Sequence, residues 1–234
     1  MTTEQTYMIF YLTLAFAAFL PRIPYIGRYF QVFNTMVHED GHALMALISR
    51  GKAQKIELFA DTSGSTITYA KSKLSHFLTS LAGYPASAGA AYLLFYLLNQ
   101  QDELTLLIAI SVLLALNLIL FVRNTYGVIW ILTLGGLLYL LFYFDNLLAM
   151  RIAVTFFAGV LFWGSLFAPL TLIKIAWQNP RQAGDAANLN KLTGIPSLLW
   201  SLLFLAFSLW IAYFTIRQFP LAEGVIDQLK DINL

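Results

Sequence analysis

Four side chains within five positions, His38, Glu39, Asp40 and His42, form the one chemically dense stretch of this sequence. His38, Glu39 and His42 spell H-E-x-x-H. On a helix, residues four apart share a face, so both imidazoles can reach one metal ion. Glu39 then lies where it can take a proton from a water activated by that metal. The chain has no cysteine, so a metal site must be built from His, Asp, Glu or Asn.

The elements that carry these residues are set by composition. Of 234 residues, 59% are hydrophobic and 11% charged, against about 25% charged in an ordinary soluble domain, and the mean hydropathy is +0.70. Several uncharged runs reach the ~20 residues needed to cross a bilayer. The expected fold class is an all-α polytopic membrane protein forming a single membrane domain, residues 1–234, with about seven transmembrane helices and a small β-hairpin after the second. The net charge of +2 is spread out, and no basic stripe suits nucleic acid. The N-terminus lacks the basic region of a cleaved signal peptide, so the first apolar segment is read as a retained anchor.

In chain order, residues 5–21 form a short first span closed by Pro21 and Pro24. The motif helix covers 34–50 and ends at Arg50-Gly51, with glycine in the usual capping position. Residues 53–70 change period: Ile56, Leu58 and Ala60 alternate with Glu57, Phe59 and Asp61, Thr62-Ser63-Gly64 signals a turn, and Ser65–Tyr69 is rich in β-branched residues. This reads as a β-hairpin at the membrane surface, an irregular polar loop being the alternative. Further spans are expected at 77–98, 104–122, 126–144, 152–173 and 195–216, followed by a polar tail, 217–234, with no assigned role. Gly83, Ser87 and Ala91 recur every four residues, as on helices that pack closely in membranes. Trp130, Trp163, Trp177, Trp200 and Trp210 are expected at the membrane interface or facing lipid.

Seven spans place the termini on opposite sides. Nine Lys and Arg residues fall on the N-terminal side and five on the other, which favours a cytoplasmic N-terminus, in a chain compatible with a bacterial plasma membrane. His38 then lies about 18 Å from the cytoplasmic end of its helix at 1.5 Å per residue. The motif sits within the membrane, where ionisable residues are costly and usually functional. Without a metal, the same residues would form a buried polar network, bonded to Asn117 or serine side chains.

The motif and the segment after it carry a resemblance. His-Glu-Asp-Gly-His-Ala (38–43), then Gly51 and Lys55-Ile-Glu-Leu-Phe59, resembles the motif region of the site-2 protease family of intramembrane zinc metallopeptidases, and Ala82-Gly-Tyr-Pro85 resembles its Ala-Gly-Pro step. The match covers roughly 30–124 and is strongest over 36–59, with the trailing helices resembling a bacterial-type branch with extra spans. It implies that His38 and His42 ligate Zn2+, that Glu39 is the general base, and that the substrate is a membrane protein or transmembrane peptide within the lipid bilayer, unwound to add to the hairpin edge.

The resemblance breaks at the third ligand. The family supplies an aspartate from an N-x-x-P-x-x-x-x-D-G signature. If Asn124 takes the place of its asparagine, Gly127 and Leu132 occupy the proline and aspartate positions. Pro180 to Asp185 keeps the proline-to-aspartate spacing, but Asn179 adjoins the proline and Ala186 replaces the glycine. Asp185 is therefore the expected third ligand, with Asn124, Asn117 and His76 as rivals. Three functions stay open: a zinc-dependent intramembrane metallopeptidase, a non-catalytic relative acting in binding or regulation, and a proton- or ion-coupled transporter.

Overall fold

A computed structural model describes residues 3–100 and 102–219, the side chains of 3–7 and 22 excepted; most of the polar tail lies outside the described residues. Among the described residues, eight α-helices and one two-stranded sheet make up the fold. The helices are α1 (Thr3–Phe19), α2 (Ile26–Ile48), α3 (Lys73–Asn99), α4 (Glu103–Leu116), α5 (Thr125–Phe144), α6 (Leu147–Gln178), α7 (Gly184–Thr193) and α8 (Ser197–Gln218). Strands β1 (Lys52–Leu58) and β2 (Gly64–Tyr69) pair antiparallel between α2 and α3.

Among the described residues five helices, α3 to α6 and α8, are long and apolar enough to cross a membrane, α4 together with the turn that succeeds it. Of the other two expected spans, α1 has only a short apolar stretch, Met8–Phe19. The motif helix α2 is 23 residues long, and its apolar run is broken by His38, Glu39, Asp40 and His42. It begins at Ile26, eight residues earlier than the sequence suggests. The helix over 152–173 extends to Leu147–Gln178, and α7, which reads from sequence as a loop, is a separate ten-residue helix.

The core gathers around α2. Val32, Phe33, Met36 and Val37 pack with Phe157, Ala158, Leu161, Leu134 and the hairpin residues Ile56 and Leu58 in one buried cluster. Trp130 corrects the interfacial expectation: it is 1% exposed, and its indole N–H donates to the Tyr29 carbonyl at 2.8 Å, the pairing a buried indole needs. Trp200 is likewise buried, whereas Trp177 and Trp210 are exposed. Trp163 is half-buried and donates to the Leu14 carbonyl.

The hairpin is fastened on one edge only. β1 forms a parallel bridge from Ile56 to Val122, the Arg123 N–H donates to the Ile56 carbonyl, and the Asn124 amide both accepts from Leu58 N–H at 3.1 Å and donates to the Leu58 carbonyl at 2.5 Å. These contacts use the hydrogen-bonding groups on the far side of β1. Among the described residues the outer edge of β2 has no strand partner.

Candidate metal centre

The register of α2 places Asn34, His38 and His42 in one row, one turn apart. α3 crosses this row closely because both helices present glycine. A Cβ on Gly41 would meet the Ala86 side chain at 2.5 Å and the Ala82 carbonyl at 2.9 Å. A Cβ on Gly83 would stand 2.5 Å from His38 Nε2 and 2.6 Å from His42 Nε2. The small-residue stripe of α3 therefore does more than let two helices touch: at Gly83 it makes room for the imidazole pair.

Asp185 comes to the same point from α7. Residues 180–182 form a turn after α6, Gly184 takes a positive φ of 43°, and Asp185 sits in the first turn of α7. Ala183, Ala186, Ala187 and Leu189 anchor this segment in a second apolar cluster with Trp200 and Phe204, against Phe77, Leu81 and Tyr84 of α3. Burial of these small apolar faces brings the short helix back onto the bundle, while Pro180–Gln182 and Gly184 stay exposed.

His38 Nε2, His42 Nε2 and Asp185 Oδ2 then form a triangle with all three edges 3.1 Å. His42 Nδ1 lies 2.6 Å from the Thr79 carbonyl. A carbonyl only accepts, so Nδ1 carries a proton, and in the neutral imidazole Nε2 keeps its lone pair toward the triangle. Nε2 of His42 and the Asp185 carboxylate are thus both acceptors, and one proton on His38 Nε2 would satisfy only part of the triangle. A cation satisfies all three atoms. In a tetrahedral zinc site with ligands at about 2.0–2.1 Å, donor atoms stand about 3.3 Å apart, so the donor set and its spacing fit zinc.

Glu39 points to the neighbouring face, toward the hairpin. The Thr66 hydroxyl donates to its Oε2 at 2.6 Å, and Gly64 packs so closely on it that a Cβ there would meet Glu39 Cγ and Oε1 at 2.9 Å. Glu39 and His38 open on a cavity of about 850 Å3 walled by α1, α2, α6, Tyr84 and the hairpin turn 61–64. Thr35 fixes that turn by donating to the Thr62 carbonyl. Within the turn, the hydroxyl and N–H of Ser63 bond the Asp61 carboxylate and hold it below the usual carboxylate range. The Tyr84 ring packs edge-on against His38 and stacks on Phe204.

The rivals for the third ligand lie elsewhere. Asn124 is engaged with Leu58, and Asn117 donates to Asp40 Oδ2 at 2.9 Å. His76 is exposed at the start of α3. Sequence reasoning misses three contributors. Thr79 acts through its carbonyl and leaves no side-chain signal, Thr66 is one of several hydroxyls in β2, and Gly83 reads from its spacing only as a packing residue.

The chain belongs to the Peptidase M50B-like family, a site-2 protease family, whose model matches residues 9–215. With its apolar helices, this makes it an integral membrane protein of a peptidase family. No curated protein and no solved structure matches it.

Proposed function

We propose that the protein is a zinc-dependent intramembrane metallopeptidase, with His38, His42 and Asp185 as metal ligands and Glu39 as the general base. The observation that carries this reading is the 3.1 Å triangle of Nε2, Nε2 and Oδ2 atoms beside a glutamate that opens on a cavity. Zinc held there would act as a Lewis acid toward the scissile carbonyl and ease deprotonation of the attacking water.

The remaining steps belong to the chain's own groups. The Thr66 hydroxyl occupies Glu39 Oε2, which leaves Oε1 as the oxygen for proton transfer. Glu39 takes a proton as the water oxygen bonds to the peptide carbon, then returns it to the departing nitrogen as the C–N bond breaks. The free edge of β2, which starts against Glu39, offers main-chain groups to an unwound substrate strand. The substrate is a membrane protein or transmembrane peptide. The bias of Lys and Arg supports a cytoplasmic N-terminus. The non-catalytic alternative rests on a missing carboxylate; the position of Asp185 beside both histidines favours the enzyme.

The test is Glu39→Gln in purified, zinc-loaded protein with a panel of single-span transmembrane peptides. Wild type is expected to cut at least one peptide. The variant should keep its zinc and lose about 10²–10⁴-fold in rate. Unchanged cleavage by the variant would overturn the mechanism.

A further inference from the structure

The cavity that His38 and Glu39 open on has a second carboxylate in its wall, and the metal centre does not use it. Asp61 sits in the hairpin turn and lines the cavity beside Thr62, Ser63 and Gly64. Glu39 and Asp61 are the only two carboxylates among the described lining residues, which include no lysine or arginine. Asp61 is exposed and forms no ion pair among the described residues. Arg28, at the start of α2, acts on it only from a distance. The carboxylate is nonetheless fixed in place. The N–H and hydroxyl of Ser63 donate to its Oδ1 at 3.0 and 2.6 Å, and Thr35 pins the turn to α2 by donating to the Thr62 carbonyl at 2.7 Å.

The turn does not need the charge. An asparagine would offer Ser63 the same side-chain oxygen and suits such a turn equally well. Nor does the metal centre need it: the two positive charges of zinc would match Asp185 and Glu39, and Asp61 is the negative charge left over. A cleft lined by one sign of charge draws in ligands of the other. The rest of the wall says what form the cation takes. Trp163, Phe167, Leu172 and Ile175 line the same cavity. An apolar and aromatic wall beside a carboxylate suits lysine or arginine, whose methylene stem packs on apolar surface while its head meets the charge. Gly64, three residues after Asp61, packs against Glu39, and three residues of chain span about 10 Å at most. A basic side chain that meets Asp61 therefore belongs to a residue within about three of the scissile bond.

We infer that Asp61 selects substrates with a basic side chain close to the scissile bond: its carboxylate pairs with a lysine or arginine of the substrate inside the cavity. This inference rests on the peptidase reading. It gives Asp61 a part in specificity and none in the chemistry.

The test measures kcat/KM for a transmembrane peptide from the panel that wild type cuts. Versions of it carry lysine, glutamine or glutamate at each position within about five residues of the mapped cleavage site. Wild type should prefer lysine over glutamine about two- to fivefold at one or two of these positions, the worth of a partly exposed ion pair. The preference should fade as salt is raised. Asp61→Asn keeps the acceptor for Ser63 and should bring the lysine-to-glutamine ratio to about one, with zinc content held. Asp61→Lys should turn the preference toward glutamate at the same positions. Wild type with no preference for lysine at any position, or Asp61→Asn with the full preference retained, overturns the role of Asp61 and leaves the peptidase reading standing. Zinc-loaded wild type that cuts no peptide overturns the peptidase reading, and this inference with it.

Discussion

Helix α2 carries two buried polar clusters, and their contrast explains the molecule better than either does alone. On one face, His38 and His42 meet Asp185; on another, Asp40 meets Asn117. Both bring residues far apart in sequence together inside a helical bundle. In the second, an amide N–H of Asn117 meets a carboxylate oxygen of Asp40, so a donor faces an acceptor and the bond ties α2 to the end of α4. There α4 runs into a wider turn at Asn117–Phe121, an irregularity often found near functional sites. In the first, with both imidazoles neutral, three lone-pair-bearing atoms can face one point. The difference lies in convergence: in the second cluster one bond is made and Asp40 Oδ1 and Asn117 Oδ1 are each left buried without a partner, whereas in the first three ligand atoms face one point that a single cation can occupy.

The contrast can be broken at each cluster separately. The largest expected effect is at Gly83. Gly83→Ala places a methyl against both imidazoles and should weaken zinc binding by about 10- to 100-fold, the range for disturbing the groups that orient metal ligands. Zinc affinity measured by competition with a chromophoric chelator would check this, and unchanged affinity would mean that the close crossing of α2 and α3 has no bearing on the metal. A smaller effect of different kind is expected at the second cluster. Asn117→Leu leaves the Asp40 carboxylate buried without its donor and should cost about 1–3 kcal/mol of stability, read as a lower midpoint of unfolding in mild detergent. Its zinc stoichiometry should not change. Loss of zinc in this variant would show that the two clusters act as one.

Much of this is legible in the sequence, for physical reasons that also explain what is not. The motif residues and the hairpin come from local period: four-residue spacing fixes a helical face, and alternation with a Thr-Ser-Gly turn fixes the hairpin, observed as β1 and β2. The apolar spans come from composition. α7 escapes because its ten residues, rich in Asn and Asp, have no strong helical period of their own, and its helix is stabilised by Ala186, Ala187 and Leu189 packing against α3 and α8. Trp130 escapes because a tryptophan in an apolar run suits lipid or core equally well, and only the distant Tyr29 carbonyl decides. Thr79 cannot be found from residue types, since it contributes a backbone atom that every residue carries. Asp185 is reachable only through its spacing from Pro180, and its approach to His38 and His42 depends on how α7 docks.

The central claim is that Asp185 completes the metal centre begun by H-E-x-x-H. Zinc binding and zinc-edge X-ray absorption, compared between wild type and Asp185→Ala, test it most directly. Wild type should hold about one zinc per chain in a shell of two imidazoles and oxygen ligands, and Asp185→Ala should lose stoichiometric binding while keeping its helical content. A variant that binds zinc as tightly as wild type, with the same shell, would contradict the account.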